Sequence, residues 1–226
     1  DFLEQLDGIE GHKIRDGLKY KDVISKPYDV RVTDKIFFNA DHNCLAHYRY
    51  LHQAIEGFAT AKYCLPSPNM MLYPYLRNNR YYAGDLDAYI QDLGLCFREA
   101  ITALYDQGCR YIQINDQFLA YLCDERYRTQ ELEQGINPVE LAGCCVKALN
   151  MALDNKPADL FVALHIERGN FSSSWLYQGD YDFIADHVLN ELQNIDRYFL
   201  EFDTERAGGF EPLAKLQSAQ AEVFLG

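Results

Sequence analysis

Residues 159–170, which read DLFVALHIERGN, decide how this sequence is interpreted. The first part is a nearly continuous apolar run, a pattern that indicates a strand buried on both faces, as in a parallel sheet. Polar residues follow at once, beginning with His165 and Glu167. In strand–helix barrels the catalytic groups collect at the C-terminal ends of the strands. This stretch therefore predicts both a buried parallel strand and the edge at which chemistry takes place.

Other runs of the same kind lie on either side of it. The strong ones are residues 61–65 (AKYCL), 110–114 (RYIQI) and 197–202 (RYFLEF), and the weaker ones are 30–38 and 221–225. Helical patterns separate them: residues 85–107 with Gly108 as a C-cap, a helix that begins at Asn137 and Pro138, one that begins at Asp180 or Asp182, and a short one over 211–216. Alternating strands and helices predict α/β architecture.

Two α/β architectures fit this alternation, a doubly wound sheet and a barrel. No G-x-G-x-x-G turn follows a strand, which disfavours a dinucleotide-binding sheet. We predict a (β/α)8 TIM barrel, with residues 1–226 forming a single, incomplete barrel domain. About six strand–helix units can be counted where a closed barrel has about eight. One or two N-terminal units and the last helix are therefore expected to lie outside the sequence.

Composition limits the classes of partner. The chain has 226 residues, 48% of them hydrophobic, and a formal net charge of -13. Phosphate binding needs an excess of Lys and Arg, so nucleic acid and anionic membranes are not expected partners. No apolar run approaches the roughly 20 residues of a membrane span, and no signal peptide is visible. Seven cysteines without a C-x-x-C pair predict reduced, buried thiols in a cytoplasmic protein.

The polar residues at the strand ends suggest a metal site. His165 and Glu167 are two positions apart, so on an extended segment they point the same way. Glu201 ends the next strand and can face them. One imidazole and two carboxylates are a suitable donor set for a divalent ion such as zinc. The alternative is that His165 is a hydrogen-bonded core histidine and that both glutamates pair with Arg168 and Arg206.

Substrate-binding candidates lie in the loops beside these residues. Residues 169–174 (GNFSSS) follow a strand and are rich in donors, which can hold an anionic group through backbone N–H. Asn170 and Ser172 are the candidates there, and Ser67 is the candidate after the AKYCL run. Asn115, Asp116 and Arg168 are the catalytic candidates.

Four motifs at four successive strand ends resemble a known family. They are LPSPNMM, YIQINDQFLAYLCD, LHIERGNF and YFLEFDTERAGGFEPL, in that order from about residue 61 onward. They are similar to the methionine synthase II group, the short, single-barrel branch of the cobalamin-independent methionine synthase family. The resemblance implies a 5-methyltetrahydropteroyltriglutamate–homocysteine S-methyltransferase-like activity. Such an enzyme moves a methyl group from a methyltetrahydrofolate-type donor to a small thiol, which a zinc ion binds as thiolate.

The resemblance also assigns residues. His165 matches the family's histidine ligand and Glu201 its glutamate ligand, while Asn115 and Asp116 match an acidic pair that contacts the substrate amino group. Glu167 stands where the family has a cysteine ligand, and Asn115 replaces an aspartate. A carboxylate in place of a thiolate shifts preference from zinc towards harder ions. Zinc with an altered ligand set of His165, Glu167 and Glu201 is the resulting expectation.

Alternatives remain open. One is a metal-free barrel homologue, either decarboxylase-like, with Arg168, Arg206, Arg77 and Arg80 holding substrate carboxylates, or a non-catalytic small-molecule binder. The strand alternation adds a question of orientation, because only one of Asn115 and Asp116 can face the barrel mouth. We expect Asp116 to face it and to contact a substrate ammonium group, whereas the resemblance assigns that place to Asn115. The alternative is that Asp116 caps the following segment, near Leu119, and touches no ligand.

Overall fold

The structure, a computed structural model, describes residues 2–13, 17, 19–20, 22–25, 28–55, 57–73, 81–202, 204–217 and 221–226. Its centre is a sheet of five parallel strands that lie in chain order. They are β3 (Lys62–Pro66), β4 (Tyr111–Asp116), β5 (Phe161–Ile166), β6 (Arg197–Leu200) and β7 (Glu222–Leu225). The predicted α/β class and its parallel sheet are confirmed, while closure into an eight-stranded barrel stays a prediction.

Helices connect these strands, and the expected local signals begin and end them. Asp85 caps the helix Leu86–Asp106 by accepting a hydrogen bond from the backbone N–H of Ala88. Gly108 follows that helix with a φ of +93°, which a residue with a side chain rarely adopts. Asn137 caps the helix Pro138–Ala152 in the same way. The remaining longer helix, Asn43–Ile55, precedes β3.

Three predictions need correction. The run at 30–38 is a strand, β2 (Tyr28–Phe37), but it pairs antiparallel with β1 (Asp7–Lys13) outside the parallel sheet. The helix expected from Asp180 or Asp182 is only the turn Asp182–Ile184, continued by a π-helical turn, Ala185–Leu189. The predicted helix at 211–216 is a 3₁₀ segment, Glu211–Lys215.

Further short segments were not predicted. They are the helices Phe118–Cys123 and Glu125–Glu133 and the 3₁₀ turns Leu3–Gln5, Pro68–Met71 and Glu205–Ala207.

The faces of β4 determine which side chains reach the site. Ile112, Ile114 and Asp116 are buried, whereas the alternate residues Gln113 and Asn115 are partly exposed. The strand thus alternates instead of being buried on both faces. One face packs on the core, and the opposite face, which carries Gln113 and Asn115, is partly exposed.

Two further expectations concern membrane-spanning segments and the burial of the cysteines. Within the described ranges, none of the helices has the length and hydropathy needed to cross a membrane. The seven cysteines are free and five of them are buried, but Cys64 is exposed, contrary to the expectation of buried thiols.

Candidate functional site

Strand register brings the predicted polar residues to one edge of the sheet. Asn115 of β4 lies opposite His165 of β5, and His165 lies opposite Phe199 of β6. Glu201 comes two residues after Phe199, just as Glu167 comes two residues after His165. Because the strands are parallel, these side chains meet at their C-terminal ends.

His165 and Glu201 form the centre of the site. The Nε2 atom of His165 lies 3.6 Å from Oε1 of Glu201. Asn170 Nδ2 donates to Oε1 of the same carboxylate at 2.7 Å, and the backbone N–H of Arg168 donates to Oε2 at 3.1 Å. Burial alone would raise the pKa of Glu201, but its contact with His165 and these hydrogen bonds outweigh it and lower the pKa. Glu201 is therefore held as a carboxylate beside the imidazole.

Glu167 is the second carboxyl group of the site. Burial raises its pKa, the charges of Glu201 and Asp116 raise it further, and His165 opposes the shift. The two glutamates thus differ in the direction of their pKa shifts. Glu201 favours the ionised form, and Glu167 holds a proton at a higher pH than an exposed glutamate.

Two cavities lie beside the polar partners of His165, although His165 itself lines neither. The first, of about 420 Å³, includes Asn115 and Glu167 in its lining, and the second, of about 410 Å³, includes Asn170 and Glu201. His165 contacts a residue of each, since its Nδ1 is 3.4 Å from Oδ1 of Asn115. Both volumes are in the range of small-molecule sites. The arrangement offers space for a ligand beside Asn115 and for another beside Glu201.

The predicted metal ligands do not complete a zinc site. Structural and catalytic zinc sites use at least three protein ligands. Among the residues that the structure describes, no three His, Cys, Asp or Glu side chains are grouped so as to hold a metal ion. The predicted set of His165, Glu167 and Glu201 is thus not assembled around one point, and zinc binding stays a prediction.

The expected orientation of Asp116 is wrong. Its side chain is fully buried, accepts a hydrogen bond from the backbone N–H of Leu119 at 2.8 Å and another from Asn69 Nδ2 at 2.8 Å. Asp116 therefore caps the helix Phe118–Cys123. Asn115 takes the inward place, as the resemblance implied. Burial raises the pKa of Asp116 despite its hydrogen bonds.

We expect Asp116→Asn to gain stability relative to wild type as pH rises above about 4, the pKa range of an unfolded aspartate. A raised pKa in the folded state means that the ionised form of Asp116 costs stability, and this cost appears as pH rises through the folded pKa. Asn keeps an acceptor for the Leu119 N–H. Urea unfolding between pH 4 and 8 measures the difference.

Asp116→Ala is the control for that comparison. It leaves Leu119 N–H and Asn69 without their acceptor and should lose about 1–3 kcal/mol. An Asn variant whose stability falls relative to wild type as pH rises would contradict the role of Asp116 as a buried cap.

Several other residues predicted for the site make different contacts in the structure. Ser67 is buried, and its hydroxyl accepts from the N–H of Asn69 at the start of a 3₁₀ turn, so it does not face a ligand. The Arg168 side chain is fully buried, with its guanidinium 4.4 Å from the centroid of the Tyr181 ring and its three nitrogens without a hydrogen-bond partner among the described residues, so its catalytic role stays a prediction. Ser172 is an exposed turn residue with a φ of +49°. Of the three substrate-binding candidates, Asn170 lies in the site. Arg77 and Arg80 lie outside the described residues.

Sequence reasoning missed a contribution from the N-terminal region. Tyr20 packs on the Phe171 ring with 5.1 Å between centroids, and the N–H of Asp22 donates to Ser174 Oγ. Burial and the charge of Glu167 raise the pKa of Tyr20. Tyr20 and Asp22, which lie between β1 and β2 in the sequence, therefore contact the loop that follows β5. No local signal marks this contact, because it joins residues about 150 positions apart.

Gly169 fixes the position of Asn170. Its φ is +73°, and an added Cβ would lie against Gln117 Nε2 and 3.0 Å from Leu176 Cβ.

We expect Gly169→Ala to lose about 1–3 kcal/mol of stability, because alanine disfavours this left-handed backbone conformation and its Cβ would crowd Gln117 and Leu176. Thermal unfolding tests this, with Gly143→Ala as the matched control, since Gly143 is helical and has nothing within 4 Å of the added Cβ. Equal stabilities of the two variants would contradict it.

Two solved structures resemble the chain in fold. A crystal structure of a candidate vitamin-B12-independent methionine synthase from Listeria monocytogenes matches with a TM-score of 0.76 and 31% identity, over 100% of this chain and 58% of that one. A B12-independent methionine synthase from Shewanella sp. W3-18-1, solved with selenomethionine, matches with a TM-score of 0.63 and 16% identity, over 100% of this chain and 60% of that one. In fold, the chain is similar to B12-independent methionine synthases.

Relatives in sequence carry no assigned function. The proteins YxjG and YxjH of Bacillus subtilis (strain 168), both uncharacterized, are 38% and 36% identical to the chain over 226 residues. No family model matches the chain. The chain spans 59% of the length of each Bacillus relative, so the activity of a whole protein of that size is not shown by these matches.

Proposed function

We propose that this chain is a catalytic region of a cobalamin-independent methionine synthase-like methyltransferase. Its substrates would be a small thiol such as homocysteine and a methyltetrahydrofolate-type donor. The observation that carries the proposal is the His165–Glu201 pair at the C-terminal edge of the sheet, in a chain similar to a candidate methionine synthase at 31% identity. One cavity is lined by Asn115 and another by Glu201, the two polar contacts of His165, which leaves room near the pair for two molecules.

The chemistry requires that the thiol lose its proton, because the thiolate is the nucleophile. We assign His165 as the base: Nε2 takes the thiol proton and Glu201 stabilises the resulting imidazolium. The sulfur then forms a bond to the methyl carbon as the bond from that carbon to the donor nitrogen breaks. The donor nitrogen takes a proton in return, and we assign its delivery to Glu167, whose pKa is raised.

One observation favours a second candidate function. Glu167 occupies the place that the resemblance gives to a cysteine ligand, and the described residues hold no group of three metal donors. A barrel that binds a small molecule without catalysing methyl transfer would show the same features. Both proposals allow the chain to bind a thiol, but only the first predicts that the bound thiol is methylated.

Transfer of an isotopically labelled methyl group tests the proposal. The purified chain is incubated with homocysteine and labelled methyltetrahydrofolate, with and without added zinc, and methionine is quantified. Labelled methionine above the no-protein level supports the proposal. Saturable homocysteine binding without product in either condition would favour the second candidate, and absence of both would exclude the two.

A further inference from the structure

The main chain of Glu201 is held by a tyrosine side chain. Strand β6 ends at Leu200, so the N–H and C=O groups of Glu201 lie beyond its ladder with β5. On either side of Glu201, the C=O of Leu200 and the N–H of Phe202 both bond to Gly226, on the β7 side. Because successive residues of an extended segment turn their polar groups to opposite sides, those of Glu201 face away from β7. There they meet the hydroxyl of Tyr181.

One hydroxyl group satisfies both polar groups of Glu201. The N–H of Glu201 donates to Oη of Tyr181 at 2.9 Å, and Oη donates to the C=O of Glu201 at 3.2 Å. A phenol has one donor and also accepts, so it can serve both groups at once. Strand β5 has already ended at Ile166. The Tyr181 hydroxyl therefore takes the place of a strand partner at the residue that carries the carboxylate of the site.

The Tyr181 ring is itself fixed by packing. It is fully buried, stacks on the Phe202 ring with 4.9 Å between centroids, and has the guanidinium carbon of Arg168 4.4 Å from its own centroid. A cation near the face of an aromatic ring attracts it. The backbone N–H of Arg168 also donates to Oε2 of Glu201. Arg168 thus supports Glu201 directly through its main chain and indirectly through the Tyr181 ring.

We propose that Tyr181 is a positioning residue that holds Glu201 where its carboxylate faces His165. Asn170 and the backbone of Arg168 bind the two carboxylate oxygens, and both bonds depend on the place of the Cα atom from which the side chain extends. Fixing the N–H and C=O of Glu201 fixes that atom. The catalytic part of this inference rests on the methyl-transfer proposal, whereas the hold on the main chain does not.

Tyr181→Phe tests the hold on the main chain, because phenylalanine keeps the ring and its packing but lacks the hydroxyl. Hydrogen exchange of the Glu201 amide is followed by NMR in the chain labelled with ¹⁵N-glutamate, and its signal is assigned by its absence from Glu201→Gln. We expect exchange about tenfold faster than in wild type, because a protecting hydrogen bond is lost. Tyr198→Phe is the matched control and should leave this rate unchanged. Tyr198 is also buried, but its hydroxyl donates to the C=O of Leu189, at 3.2 Å.

Steady-state kinetics of the same two variants test the positioning. Tyr181→Phe should lower kcat by about 10- to 100-fold with KM nearly unchanged, since a displaced group costs rate more than binding. Tyr198→Phe loses a buried hydrogen bond of the same kind and should keep the wild-type kcat, whereas a merely structural role of Tyr181 would give similar losses in both.

Three results would overturn the proposal: unchanged exchange of the Glu201 amide in Tyr181→Phe, an unchanged kcat in that variant, or equal losses of kcat in Tyr181→Phe and Tyr198→Phe. A wild-type chain without turnover would instead overturn the methyl-transfer proposal. The exchange rate of the Glu201 amide would then decide by itself whether Tyr181 holds Glu201 in place.

Discussion

His165→Ala is expected to lower the rate of methyl transfer by about 10²–10⁴-fold, the usual contribution of a positioned general base. The loss should appear mainly in kcat, because the imidazole is proposed to act on the thiol proton, while the two cavities proposed to bind the substrates remain. Glu201→Gln should also lower kcat, because it removes the charge that faces Nε2 at 3.6 Å. Steady-state kinetics with homocysteine and methyltetrahydrofolate measure both effects.

His52→Ala is the matched control for this loss. His52 is exposed and stacks on Tyr48, and its ring lies near Gly108, which precedes β4 at the opposite end of the sheet. Its removal should leave kcat and KM unchanged. If His165→Ala retained the wild-type kcat, the assignment of His165 as the base would be wrong.

Glu167→Cys is expected to tighten zinc binding by at least about tenfold, or about 1.4 kcal/mol. His165 and Glu201 already offer a nitrogen and an oxygen donor within 3.6 Å of each other, and a thiolate is a stronger zinc ligand than a carboxylate. Glu167 is close enough to both for their charges to alter its pKa. Competitive titration with a zinc indicator at constant pH gives the affinities.

Glu167→Ser separates the thiolate from the loss of the carboxylate. The serine side chain is about as large as the cysteine side chain, but its hydroxyl is a poor metal ligand. The zinc affinity of Glu167→Ser should therefore not exceed that of wild type. Equal zinc affinities of the Cys and Ser variants would show that position 167 does not face a metal site, and the predicted ligand set would be abandoned.

The parallel strands could be predicted from the sequence because each is an apolar run with a clear end. Strand β1 could not, since Asp7–Lys13 contains two glycines and only one buried residue, Ile9. The helix Phe118–Cys123 escaped prediction for a related reason: all six of its residues are buried, so it shows no amphipathic period.

The error at Asp116 follows from that missed helix. Alternation along a strand shows that neighbours face opposite sides, but it does not show which of them faces the mouth. The alternative role of Asp116, as a cap of the segment near Leu119, is the one that the structure bears out, and it leaves Asn115 for the site. The convergence of His165 and Glu201 was predictable because it needs only two adjacent parallel strands that end in polar residues. The cover supplied by Tyr20 was not, because tertiary packing alone brings it to Phe171.

A crystal structure of the chain with bound homocysteine tests the central claim most directly, since that claim locates the reacting sulfur. The account predicts that the sulfur lies within hydrogen-bond reach of His165 Nε2, with the rest of the ligand in one of the two flanking cavities. Homocysteine bound elsewhere, with its sulfur out of contact with both His165 and Glu201, would contradict it.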